Sequence, residues 1–226
     1  FQNLPVIDCG DCLMIPGMTD LHLHAPQYPF RAIGMDMELL EWLETHTFPE
    51  ESRYADADYA QHAYHIFAGD LKLSATTRAV AFATIHPQAT ALLMDELEAT
   101  GLKTFVGKVN MDQNCSDIIR ESNADASLHT TVRWLENSAG KYQNTRPILT
   151  PRFAPTCSAA LLEGLGKLQK EYQLPVQSHL SENLSEIAWV KELFPWSLFY
   201  GDIYDHFGLF GNEAPTIMAH CVHCPD

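Results

Sequence analysis

Short apolar segments alternate along this chain with longer segments in which apolar residues recur at helical spacing. The helical segments cover residues 58–73, 87–99 and 158–172, and Ser158 suits the N-cap of the last one. The apolar segments predict six β-strands, at residues 13–24, 77–86, 103–112, 147–154, 175–179 and 216–222. Strands that alternate with helices in this way predict an α/β fold, with a parallel sheet and helices outside it.

Polar side chains stand at the carboxyl ends of several of these strands, and this placement favours a closed (β/α)8 TIM barrel over an open sheet. A complete barrel has eight strand–helix units and about 250 residues, whereas this sequence has 226 residues and about six units. The sequence starts at Phe1 without a methionine and ends at Asp226, soon after the sixth predicted strand. We therefore expect an incomplete excerpt of a barrel, with strands 1 to 6 present and strands 7 and 8 absent.

The longest irregular stretch, residues 25–53, follows the first predicted strand and contains a short amphipathic helix at residues 37–43. Long loops after barrel strands commonly shape or cover the active site. We expect this stretch to form one wall of the pocket.

The composition is that of an ordinary soluble domain, since 46% of the residues are hydrophobic and 19% are charged. The net charge of -15 disfavours nucleic acid as a partner, because nucleic-acid binders place Lys and Arg against phosphates. No stretch approaches the roughly 20 apolar residues of a membrane span, and no basic-then-apolar leader opens the sequence. Six cysteines without a secretory context suggest free thiols in a reducing cytoplasm. These features predict a cytoplasmic protein that binds a small molecule.

Two histidines at the end of the first predicted strand suggest a metal site. His22 and His24 are two residues apart, so on a strand both imidazoles point to the same side. Two later strands also carry histidine near their ends: His179, which has Glu182 three residues on, and His220. A catalytic zinc ion uses three or more protein ligands and keeps one position for water. The four imidazoles therefore predict a mononuclear metal site.

The cysteines offer a different metal site. Two Cys-x-x-Cys pairs resemble the thiolate ligands of a structural zinc, namely Cys9 with Cys12 and Cys221 with Cys224. Such pairs usually lie within about 20 residues of each other. Here nearly the whole sequence separates them, which disfavours a shared zinc. Cys115 and Cys157 have no local signature of a nucleophile, so we expect them to be buried or incidental thiols.

The order of the motifs resembles the amidohydrolase superfamily of metal-dependent deaminases and hydrolases: Pro16-Gly17, His22-x-His24, His179-x-x-Glu182 and His220. Longer strings are similar to the guanine deaminases within that superfamily. These strings are residues 24–28, 39–43, 107–112, 150–155 and 178–183, and the likeness extends over nearly all of the sequence. The resemblance implies an amidohydrolase-type barrel over residues 13–226, preceded at residues 1–12 by the end of a β-sandwich segment.

The resemblance also implies a site and a reaction. One zinc ion per subunit would be surrounded by His22, His24, His179 and His220, some of them acting through its water. Guanine would be held by Gln27, Arg152, Phe153, His179 and Glu182, and Glu182 would be the catalytic proton shuttle. In the implied hydrolysis, water attacks C2 of guanine, Glu182 donates a proton to N3, and ammonia leaves to give xanthine. A homodimer is implied as well.

The chemistry of the base agrees with the residues assigned to hold it. Guanine displays two acceptors, O6 and N7, and Arg152 is the side chain best shaped to donate to both. Gln27 can donate and accept, so it can read a lactam edge that adenine lacks. Phe153 supplies either a stacking face or a backbone donor. Arg152 could instead pair with an acidic residue under the barrel rim.

One group of the superfamily pattern is missing from this sequence. The superfamily places an Asp at the end of the eighth barrel strand, where it contacts the metal and takes a proton from the water. Asp226 lies too soon after the sixth predicted strand to serve. We therefore assign the function to the parent protein and expect the fragment alone to be inactive.

Several other interpretations stay open. His179 and His220 could be hydrogen-bonded interior residues, and His223 could lie just outside the metal ligands.

Lys108 follows Gly107, but the spacing of the glycines before it is not that of a phosphate-binding loop. A carboxylated lysine that bridges two metals is generally on the fourth strand of the superfamily barrel, whereas Lys108 is on the third predicted strand. Instead of deaminating guanine, the protein could act on another purine, a pterin or a triazine, or be a non-catalytic scaffold.

Overall fold

The computed structural model describes residues 4–211 and 214–224. Phe1 and Asp226 lie outside the described residues, together with residues 2–3, 212–213 and 225. Residues 4–17 are exposed and contain no helix or strand. The first predicted strand is therefore wrong for residues 13–17, because pairing with the neighbouring strand starts only where Met18 meets Thr76.

Eight short β-strands occur in the described part of the chain, and each paired strand is parallel to its neighbour. They are β1 (Met18–His24), β2 (Thr76–Phe82), β3 (Lys103–Gly107), β4 (Val109–Asn110), β5 (Thr145–Pro147), β6 (Thr150–Pro151), β7 (Val176–Leu180) and β8 (Thr216–His220). β3 and β4 are two halves of one predicted strand, and β5 and β6 take the place of the next. All six predicted strands are thus present.

The strands follow one another around the sheet in chain order. The hydrogen-bonded order is β1-β2-β3-β5, with β4 paired to β6 and β7 paired to β8. A parallel bridge from Leu149 to Val176 continues the sheet from the β5–β6 segment to β7. This arrangement confirms the predicted α/β fold and is that of a partial TIM barrel, in which the carboxyl ends of the strands meet at one rim.

Two predicted strands end earlier than expected. β2 stops at Phe82 rather than at residue 86, because the turn into the next helix begins there and the Thr84 hydroxyl accepts a hydrogen bond from the His86 backbone N–H. β8 stops at His220 rather than at residue 222. His220 and Cys221 have φ values of 72° and 54°, and this left-handed conformation ends an extended strand.

The helices lie in the connections between the strands. In the described residues the α-helices are α1 (Leu39–Trp42), α2 (Phe48–Ser52), α3 (Ala57–Leu73), α4 (Pro87–Thr100), α5 (Ala124–Ser138), α6 (Ala159–Tyr172), α7 (Leu184–Leu193) and α8 (Gly201–His206). A π-helical segment, Leu43–Thr47, joins α1 to α2. Helices α3, α4 and α6 agree with the predicted helices to within one residue. Side-chain caps account for two of these starts, since Asp56 caps α3 and Ser158 accepts a hydrogen bond from the Leu161 N–H at the start of α6. In the same residues, no helix combines the length and apolar character needed to cross a bilayer.

A packed layer of side chains lies below the rim of the barrel. Gln177, two residues before His179 on β7, donates from Nε2 to the Ala81 carbonyl at 3.1 Å and to the Thr150 hydroxyl at 2.9 Å. Gly107 approaches Thr150 so closely that an added Cβ would lie 1.7 Å from its Oγ1. The ends of β3, β6 and β7 are therefore held against one another just beneath the rim.

This close approach generates a prediction about stability. We expect Gly107→Ala to lower the free energy of unfolding by about 1–3 kcal/mol, because the new methyl group overpacks a buried layer. Gly69, inside α3, has no atom within 4 Å of an added Cβ. The control Gly69→Ala should raise stability by about 0.5–1 kcal/mol, because alanine is the better helix former. Urea denaturation measures both, and equal effects in the two variants would contradict the packing argument.

Candidate metal centre and active site

Histidines from three strands meet at the rim. His22 and His24 lie on β1, His179 lies on β7, and His220 ends β8 beside Leu180 of the neighbouring strand. The ring centre of His22 lies 4.8 Å from that of His179 and 4.9 Å from that of His220. The structure therefore brings together all four imidazoles that the sequence singled out.

Three of these histidines have the geometry of a metal-ligand set. His22, His179 and His220 each offer one ring nitrogen, and these nitrogens all lie within 4.8 Å of one another. His24 is not a member of this group of three. Its Nε2 lies 3.0 Å from Nε2 of His179, so its ring faces another ligand. The structure thus places His24 against the ligand set.

The protonation of His179 is set by a backbone contact. Its Nδ1 lies 2.5 Å from the carbonyl oxygen of Arg152, and a carbonyl oxygen only accepts, so Nδ1 carries the hydrogen. In the neutral ring, Nε2 then keeps its lone pair. Metal-ligating histidines typically donate their other ring N–H to a carbonyl or carboxylate in this way, which fixes the tautomer and the ring orientation.

Burial keeps the imidazoles in their metal-binding form. It lowers the pKa of His22 to about 4, with smaller contributions from His220 and Arg152. Burial also lowers the pKa values of His24, His179 and His220. Neutral imidazole is the form that coordinates a metal. Nδ1 of His22 and Nδ1 of His24 are buried without a hydrogen-bond partner, and coordination satisfies a nitrogen of this kind. The donor set fits a divalent metal ion.

Glu182 lies beside this cluster, after β7. Its Oε2 is 3.4 Å from Nε2 of His220. Burial, with a smaller contribution from the neighbouring carboxylate of Glu186, raises the pKa of Glu182 to about 7. A carboxyl group with a pKa near the working pH can both give and take a proton, which is what general acid–base catalysis needs.

Glu186 holds the turn that carries Glu182. Its buried Oε2 accepts hydrogen bonds from the backbone N–H groups of Glu182 at 2.9 Å and Asn183 at 3.2 Å. Its Oε1 accepts from the Tyr200 hydroxyl at 2.9 Å. The sequence analysis missed Glu186, although Asn183-x-x-Glu186 has the spacing of a capping box at the start of a helix.

The residues assigned to the base line the same cavity, which has a volume of about 160 Å³. Gln27, Arg152 and Phe153 face it together with the four histidines and Glu182. Residues 25–53, which the sequence predicted to be irregular apart from a short helix at 37–43, are helical from Leu39 to Ser52. They contribute a wall of the cavity through Leu39, Trp42 and Leu43, as expected. The cavity thus joins an apolar wall, a set of imidazoles and a few polar side chains, as small-molecule sites usually do.

Arg152 also forms the ion pair that the sequence left open. Its guanidinium donates to Glu51 through Nη1 at 2.6 Å and through Nη2 at 3.1 Å, and both side chains are buried. The two roles are compatible, because an Arg side chain has five N–H donors. Glu51 was not predicted. No periodicity or motif separates it from the adjacent Glu50 in the sequence.

The other candidates lie outside the cavity. Buried Lys108 forms an ion pair with Glu121, and His223 is exposed. Among the described residues, no group of three metal-binding side chains includes a cysteine, so the disfavoured Cys-x-x-Cys zinc gains no support. Cys115 and Cys157 are buried, as expected. Burial raises the pKa of Cys115 to about 11 and raises that of Cys157 as well, so both thiols are poor nucleophiles.

The chain belongs to the amidohydrolase family, whose model matches residues 13–226. Members of this family are typically metal-dependent, in agreement with the donor set. The chain is 43% identical to the guanine deaminase of Dictyostelium discoideum over 222 residues, which are 98% of this chain and 49% of that protein. It is 42% identical over 216 residues to the probable guanine deaminase of Schizosaccharomyces pombe, covering 94% of this chain and 41% of that protein.

A solved structure shows the same similarity. Guanine deaminase from C. acetobutylicum, crystallised with guanine bound in its active site, is 50% identical to this chain and superposes with a TM-score of 0.95. The match covers 99% of this chain and 53% of that one. This chain therefore spans about half the length of the relatives that it matches.

The donor geometry predicts a dependence of metal binding on single histidines. With Zn²⁺ as the probe, we expect His22→Ala to weaken binding by more than the roughly 10–100-fold that loss of an outer partner of a ligand costs. The exposed His62 on α3 offers a matched control, and His62→Ala should bind Zn²⁺ as the unchanged protein does. Calorimetric titration of the metal-free protein measures both affinities. Equal affinities in the two variants would refute the role of His22.

Proposed function

We propose that this chain provides the metal-binding and base-binding residues of a zinc-dependent guanine deaminase, which hydrolyses guanine to xanthine and ammonia. The observation that carries the proposal is one cavity in which neutral imidazoles, the carboxyl group of Glu182 and the side chains of Gln27 and Arg152 meet. The likeness to guanine deaminases over nearly the whole chain supports the same assignment. The cytoplasmic location and the homodimer expected from the sequence remain predictions.

Zinc is the metal we propose, because a set of imidazole ligands suits it and leaves a position open for water. His22, His179 and His220 would hold the ion, with His24 against them. When bound, zinc supplies Lewis acidity and lowers the pKa of water towards neutrality. The protein contributes the tautomer of His179, which the Arg152 carbonyl holds.

Glu182 carries the protons in this proposal. It gives its proton to N3 of guanine as water adds to C2, and N3 keeps that proton in the product. Of the two protons of the water, the Glu182 carboxylate carries one to the departing amino group, and the other restores the acid form of Glu182. One water molecule is consumed and one ammonia leaves, so C2 of the product carries the new carbonyl oxygen. A pKa raised to about 7 by burial, and further by the carboxylate of Glu186, keeps both protonation states of Glu182 accessible at neutral pH.

Base specificity would come from Arg152 and Gln27, with Phe153 completing the wall. Arg152 keeps N–H donors beyond the two that Glu51 receives, and these can serve the acceptor O6. A different base would leave these polar groups unpaired, which a site that excludes water penalises strongly.

The first test is the choice of substrate. Zinc-loaded full-length protein should release ammonia from guanine, and it should do so at least about 100-fold more slowly from adenine, a pterin or an aminated triazine. An enzymatic ammonia assay measures the rates. Faster turnover of another base would make this a different heterocycle deaminase, and no turnover of any of them would favour the non-catalytic scaffold.

The second test concerns the proton shuttle. We expect Glu182→Gln to lower kcat for guanine by about 10²–10⁴-fold, since an amide cannot transfer the proton. Its zinc content should stay nearly unchanged, because Glu182 lies beside the imidazoles without belonging to the ligand group. Steady-state kinetics and metal analysis provide the two readouts, with Glu163→Gln on the surface of α6 as the control. Loss of zinc from Glu182→Gln would contradict the assigned role.

A further inference from the structure

Glu51 connects the two side chains that read the base. It lies on α2, and its side chain is completely buried, with 0% exposure. Its Oε2 accepts from Nη1 of Arg152 at 2.6 Å. Its Oε1 accepts from Nη2 of Arg152 at 3.1 Å and from Nε2 of Gln27 at 3.2 Å. One carboxylate thus anchors both residues, although it is absent from the lining of the cavity itself.

This anchor decides which end of the Gln27 amide is available. A carboxylate paired with a guanidinium only accepts hydrogen bonds, so Gln27 must turn its NH₂ group towards Glu51. The chemistry of the contact therefore fixes the amide orientation, which is otherwise ambiguous for a glutamine. The amide oxygen of Gln27 is left at the other end of the group, as an acceptor for a ligand.

The same anchor leaves Arg152 as a donor. Two of its five N–H groups are directed at Glu51, and within residues 4–211 and 214–224 the other three have no acceptor. Gln27 and Arg152 both face the cavity, so the bound ligand meets an acceptor next to a donor. The complementary edge of a ligand is an N–H next to a C=O, which is a lactam.

We propose that Glu51 is the positioning residue that sets this hydrogen-bond polarity and thereby makes the cavity selective for a lactam edge over an amidine edge. The inference rests on the proposed function. Guanine offers N1–H to Gln27 and O6 to Arg152. In 2,6-diaminopurine the polarity of this edge is reversed, because N1 accepts and the 6-amino group donates, while the amino group at C2 is the same.

Guanine and 2,6-diaminopurine have the same amino group at C2, so a comparison of their rates measures the effect of Glu51 on base recognition separately from the reaction at C2. In the unchanged full-length, zinc-loaded enzyme, kcat/KM for guanine should exceed that for 2,6-diaminopurine by about 100-fold or more. Glu51→Gln introduces an NH₂ group at the anchor, so Gln27 can turn either way. We expect this ratio to fall at least about 10-fold, mainly because KM for guanine rises, with zinc content unchanged.

A conservative variant separates polarity from packing. Glu51→Asp keeps an acceptor that is also the counter-charge of Arg152, but draws it back by one methylene group. We expect KM for guanine to rise while kcat and the selectivity ratio are largely retained. If Glu51→Gln does not fold, this variant decides the matter, and an unchanged KM in Glu51→Asp would overturn the inference.

The chain also offers a matched control. Glu121 forms the second buried ion pair described above, with Lys108, away from the cavity. Glu121→Gln should lower the melting temperature without changing the selectivity ratio. If the Glu51→Gln enzyme folds and keeps the original selectivity ratio for guanine over 2,6-diaminopurine, the role of Glu51 is refuted, while the proposed function is unaffected. Absence of guanine turnover in the unchanged enzyme would instead refute the proposed function and this inference with it.

Discussion

Arg152 contacts the histidine cluster through its backbone carbonyl and Glu51 through its guanidinium. Its backbone carbonyl accepts the hydrogen bond from Nδ1 of His179 and so leaves Nε2 of that ring free for a metal. Its side chain is held by Glu51 and faces the cavity. A shift of the segment that follows β6 would therefore disturb the ring of His179 and the guanidinium of Arg152 together. This coupling places strict limits on the geometry of the rim.

Burial of the ionisable side chains shifts their pKa values, and it also carries a cost in folding stability. Removing charged groups from water is expensive unless they are paired, and the buried guanidinium of Arg152 has its partner in Glu51. The imidazoles avoid the cost in another way, because the lowered pKa values keep them neutral. The same environment raises the pKa of Glu182 to about 7. One physical cause, burial, thus keeps the imidazoles neutral and brings the pKa of the Glu182 carboxyl group towards neutrality.

The parallel barrel explains how residues far apart in the sequence form one site. Strands that follow one another in chain order bring residues 155 positions apart, His24 and His179, within hydrogen-bonding distance. The packed layer beneath the rim, with Gln177 and Gly107, restricts how far these strand ends can move. Precise placement of polar groups on such rigid elements is what catalysis requires.

Local patterns in the sequence determined the succession of strands and helices, the cap at Ser158, and the histidine pair on one side of β1. These features depend on residues within a few positions of each other, so the sequence alone suffices to predict them. The tertiary structure decided where the strands end, since inter-strand pairing and the left-handed backbone at His220 are not local patterns. It also decided the roles of Glu51 and Glu186, because a carboxylate becomes an anchor only when distant donors reach it in a buried place.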